Sequence, residues 1–135
     1  MMNTQSEHGY MLIFRGTDWF KGLSSEQMQQ VMDQWMSWFN GLKDQGKASA
    51  GNPLEPEGKI VSGKNGRVVS DGPFAESKEA IGGYFLLTVG TMDEAVAIAQ
   101  QCPGLPHGAR VEVRPVAAAC PLLEEIGTGA QLAQA

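Results

Sequence analysis

The chain has 135 residues, 42% of them hydrophobic, and a net charge of −5 at neutral pH. That length suits one domain around one core, and that apolar content belongs to an ordinary globular chain rather than a disordered one. No run of Lys and Arg is present, which argues against nucleic acid as the main partner, because a phosphate backbone calls for a concentrated basic surface. The longest apolar stretch is too short to span a membrane, and the opening MMNTQSEH has neither the basic nor the apolar segment of a signal peptide. The expectation is a cytoplasmic protein without a membrane partner.

Residues 1–9 read as an N-terminal arm. Tyr10-Met11-Leu12-Ile13-Phe14-Arg15 is rich in β-formers and ends at Gly16, which predicts the first strand. Ser24 followed by Gln27 has the spacing of a capping box, and behind it Met28, Val31, Met32, Trp35, Trp38, Phe39 and Leu42 recur at three- and four-residue steps. This predicts a long amphipathic helix that closes near Gly46. Trp19-Phe20, just before it, is placed to fold over a pocket mouth or a dimer seam. The Gly- and Pro-rich middle holds short extended pieces at Ala48–Gly51, Lys59–Ser62 and Arg67–Ser70, the last two joined across Asn65-Gly66 as a hairpin.

Gly82-Gly83 precedes an apolar strand expected over Tyr84–Val89. Thr91 and Glu94 form a second capping-box pattern, ahead of a shorter helix that stops by Pro103. Arg110-Val111-Glu112-Val113-Arg114 alternates strictly and ends at Pro115, the last strand. Residues 117–135 form an alanine-rich tail with room for a helical turn at Leu122–Ile126.

Two β-α-β crossovers in a domain over residues 10–116 predict an α+β, ferredoxin-like βαββαβ sandwich with an inserted hairpin and both helices on one face. The strands at Tyr10–Phe14 and Tyr84–Val89 are apolar on both faces, so the face without helices needs a cover. A second copy of the same sheet is the simplest one, giving a homodimer.

The segments "DGPFAESKEAIGGYFLL", "TMDEAVAIAQQCP" and "VEVRPV", in this order, closely resemble the DGPF branch of the YCII-related family. The resemblance covers Tyr10 to Val116 and implies a dimeric α+β barrel. It also implies relatives that act on organic substrates without cofactors, and a setting beside sigma factors of the extracytoplasmic-function kind. The histidine–aspartate pair proposed for the YCII branch does not carry over, because no histidine lies between Tyr10 and Pro106.

Candidate chemistry centres on Asp71. Its carboxylate either caps the Gly72-Pro73 turn or serves as a general base at the rim of a cleft. Arg110, Glu112 and Arg114 fall on one strand face, spaced either to clamp an anion or to neutralise one another. Tyr84, Phe74 and Glu79 complete the expected ligand-contact set, with Glu79 alternatively pairing an arginine across the sheet edge. The expected ligand is a small organic acid, possible proton transfer at Asp71 would need no cofactor, and a non-catalytic module acting with a sigma factor is the rival. Cys102 and Cys120 each precede a proline without a CxxC spacing, and with only His8 and His107 to help them no zinc site is expected.

Overall fold

The computed structural model describes residues 7–16, 18–72 and 80–122. In chain order they form β1 (Tyr10–Arg15), α1 (Ser25–Asp44), β2 (Ala48–Pro53), β3 (Lys59–Ser62), β4 (Val68–Asp71), β5 (Ile81–Leu87), α2 (Met92–Ala99) and β6 (Arg110–Pro115), with one 3-10 turn at Leu105–His107. The helical turn expected over Leu122–Ile126 lies, beyond its first residue, outside the described residues, as do Phe74 and Glu79.

β2, β5, β1 and β6 lie side by side in that order, and every neighbouring pair is antiparallel. β1 and β2 therefore run parallel with β5 between them, and β5 and β6 run parallel with β1 between them. Each parallel pair is joined through one helix, so the chain is a split βαβ, ferredoxin-like α+β fold. β3 and β4 form a separate two-stranded ribbon.

Alternation along β1 decides which face is inside. Tyr10, Leu12 and Phe14 are buried, while Met11, Ile13 and Arg15 on the other face are half-buried. The helices cover the first face. Phe85 and Leu87 of β5, Leu42 of α1, and Ala95, Ile98 and Ala99 of α2 join it in the core. Phe85 is the hub, edge-on to Phe14 at 4.8 Å and tilted against Phe39 at 4.6 Å and Trp38 at 4.9 Å.

α1 starts where the sequence indicates. The Gln27 backbone N–H donates to Ser24 Oγ (3.1 Å), and the Ser24 N–H donates to Gln27 Oε1 (2.9 Å). Gly46, at φ +71, ends the helix. The cap of α2 is one-sided: the Glu94 N–H donates to Thr91 Oγ1 (3.3 Å), and the Thr91 hydroxyl in turn stands 3.5 Å from the Glu94 carboxylate.

Two local expectations are corrected. β5 begins at Ile81, running through the glycine pair, and ends at Leu87 rather than Val89. A Cβ on Gly83 would stand 2.8 Å from the Asn52 carbonyl oxygen, so the glycine is what lets β2 approach this end of β5. In the hairpin, Gly63 (φ +90) and Gly66 (φ +69) take the left-handed positions, and Asn65 does not. Ser62 pairs with Val68, which makes the connection longer than a two-residue Asn-Gly turn.

Candidate functional site

The face of the sheet turned away from α1 and α2, free of helices among the described residues, carries an apolar strip with a polar border. Met11 lies between Leu86 and Arg114 across the strands, and Ile13 lies between Tyr84 and Glu112. Arg15 closes the row. Its Nε donates to Glu112 Oε1 at 3.0 Å, and its terminal nitrogen is 2.9 Å from the same oxygen. Arg114 meets the other Glu112 oxygen more loosely, at 3.7 Å. On the far side, Asn52 Nδ2 donates to the Tyr84 hydroxyl at 3.3 Å.

Of the residues singled out in the sequence, Tyr84, Arg110, Glu112 and Arg114 thus share this face. Glu112 is held between two cations, but they are Arg15 and Arg114 rather than the Arg110 and Arg114 of the sequence reading. Asp71 stands elsewhere. It ends β4 opposite Lys59, the two side chains form an ion pair, and its own side chain is 78% exposed. It is absent from the described lining of the cavity described next.

A second feature lies on the helix side. A cavity of about 600 Å³ opens between α1 and the end of the sheet where Phe14, Gly51, Gly83 and Phe85 meet. Met28, Met32 and Met36, one turn apart along α1, form one wall, and Trp19, Phe20 and Trp35 form another. Trp19 is held in a stack, parallel to Trp35 on one side (5.9 Å, 13°) and to His107 on the other (6.3 Å, 20°). Among the described lining residues none carries an ionisable side chain.

Cys102 is not set up as a nucleophile. Burial pushes the Cys102 thiol up, against a smaller opposing pull from the backbone at Gly104 and Leu105. Among the described residues no group of three or more His, Cys, Asp and Glu side chains is placed to hold a metal ion, and no helix is long and apolar enough to cross a membrane.

The sequence matches the family model of the YCII-related domain over residues 10–119. The chain belongs to the YCII-related family. An uncharacterised protein of Rhizobium meliloti (strain 1021) is 41% identical to it over 51 residues, a match that spans 37% of this chain and 41% of that protein. The YCII-related domain takes in every strand and both helices described above, so both faces of the sheet belong to it.

Two parts of the YCII-related chain's surface went unselected in the sequence. Arg15 follows Met11 and Ile13 at the same two-residue step, so strand alternation alone would have placed it on their face of β1. Met36 continues the four-residue step of Met28 and Met32 and is the most exposed of the three, at 59%. Trp19 and Phe20, expected at a pocket mouth or a seam, line the cavity.

Proposed function

We propose that this protein works as two chains stacked through their helix-free sheet faces, with a small organic acid bound where the strip of Met11, Ile13 and Leu86 meets the arginines. The observation that carries this reading is the Arg15–Glu112–Arg114 row beside a half-buried apolar strip on a face that no described helix covers. Water alone over such a strip is unfavourable, and a second copy is self-complementary by symmetry. Glu112 is committed to Arg15 at short range and only loosely to Arg114, which leaves the Arg114 guanidinium the better placed of the two to take a ligand carboxylate through paired N–H groups.

In its catalytic form this reading is cofactor-free proton transfer. Glu112 is then the carboxylate at hand on the sheet face, and Asp71 serves to pin the hairpin through Lys59. A panel of small carboxylic acids in a thermal-shift assay tests the binding claim. At least one acid should raise the melting temperature, and Arg114→Ala should remove that rise while leaving the unliganded melting temperature within a degree or so, as for an exposed surface change. A panel without a single shift, or a shift that survives Arg114→Ala, contradicts it.

One observation favours a second reading, an interaction module that acts with an extracytoplasmic-function sigma factor. Ile60, Val61, Val68 and Val69 are all roughly half exposed on the β3–β4 ribbon, and clustered exposed apolar side chains mark interaction surfaces. Under that reading Val61→Lys with Val69→Lys abolishes co-purification with such a factor, and Arg114→Ala does not.

A further inference from the structure

The cavity between α1 and the sheet is not used by the sheet-face reading, and its chemistry differs. We infer that it is a second binding site, for an uncharged, planar aromatic molecule. Three observations carry this. The first is size: about 600 Å³ is in the range of small-molecule sites and well beyond the voids of a packed core. The second is lining. Trp19, Trp35, Phe14 and Phe85 offer ring faces and edges, the methionines offer polarisable sulfur, and no described lining residue offers a charge. Among the described lining residues a charged ligand would find no counter-charge to offset its lost hydration, so the site favours a neutral one.

The third observation is pre-organisation. The stack of His107, Trp19 and Trp35 fixes the Trp19 ring against the cavity before any ligand arrives. Gly51 and Gly83 form part of the floor, and the Cβ-free Gly51 lets Phe39 and Phe85 close over the strand. Meanwhile Phe20, Met32 and Met36 stand 37%, 39% and 59% exposed around the opening. Apolar side chains left in water at the rim of an apolar hollow are unfavourable when it is empty and gain contacts when a flat apolar molecule fills it. A hollow closed by core packing would have drawn them in.

The test uses N-phenyl-1-naphthylamine, an uncharged aromatic probe that fluoresces in apolar surroundings, with the full-length protein. Saturable binding of one probe per chain is expected. Met32→Trp, which fills the cavity from a partly exposed helix position, should abolish it with circular dichroism and melting temperature unchanged. Trp19→Ala should weaken it about tenfold, the loss expected for one stacked ring. An anionic naphthalene sulfonate of similar size should bind more weakly than the neutral probe. Non-saturable binding, equal binding to the Met32→Trp protein, or preference for the anion would each overturn the inference. So would a cavity already filled by a second copy, seen as probe binding that appears only when Met36→Glu splits a dimer.

Discussion

Glu112, Gly51 and Cys102 show three different ways in which single positions shape this molecule. Glu112 could be placed from the sequence, because strict alternation in RVEVR puts it beside Arg110 and Arg114. Its tightest partner, Arg15, comes from a strand far away in the chain, and only the β1–β6 register brings the two together. Asp71 shows the opposite case. Its ion pair with Lys59 depends on the length of the hairpin connection, which the Asn-Gly signal misjudged because glycines on either side of Asn65 supply the left-handed positions. At Gly51 a Cβ would stand 2.7 Å from Phe85 and 2.8 Å from Phe39, both of them core rings. Gly51→Ala should therefore cost about 1–3 kcal/mol, the usual penalty for overpacking, read as a lowered urea midpoint with an unchanged slope. An unchanged midpoint would mean the rings move aside freely.

Cys102 sets a pH dependence. Its thiol is pushed up in the folded chain, and burial pushes the Tyr10 phenol up as well. Unfolding would let both groups lose their protons at lower pH than the native state allows. The stability they contribute is thus fully present at neutral pH and is lost as pH rises through the ordinary thiol and phenol ranges. Melting temperature should stay level around neutrality and fall on the alkaline side. In the native protein a thiol reagent should modify the half-buried Cys120 first and reach Cys102 only on unfolding. Rapid modification of both would contradict this account of the core.

At the scale of elements, the sequence was most informative where a local signal and the tertiary context agree. Ser24 and Gln27 announce α1, and the apolar stripe behind them faces the sheet. The start of β5 was misread because Gly82-Gly83 is a turn signal in isolation. Here it is a strand segment, and at Gly83 only the missing Cβ permits the close approach of β2. The β3–β4 ribbon was legible as a hairpin, but its isolation from the main sheet was not, since strand neighbours are chosen by the fold rather than by either strand. A two-stranded ribbon on its own is marginal in water. Amides in Lys59–Ser62 and Val68–Asp71 should exchange with solvent much faster than those of β1 and β5, measured by hydrogen–deuterium exchange on the native protein. Protection of the ribbon equal to that of β1 would show that it is covered in solution.

At the scale of the whole molecule, the ferredoxin-like order of strands follows from two crossovers that could be counted in the sequence, and the apolar cavity does not follow from any pattern there. Met28 and Met32 read as core because their spacing is that of a buried stripe; the sheet ends before it reaches the outer part of that stripe, and only the folded arrangement reveals the gap. The uncovered sheet face was legible, since strands that are apolar on both sides need cover on both sides. The proposed function rests on what provides that cover. Sedimentation velocity on the full chain, alongside Ile13→Glu, tests it most directly. The account predicts a particle of two chains for the natural sequence, and one chain for the variant with its secondary structure intact. A single-chain particle for the natural sequence throughout the micromolar range would contradict it.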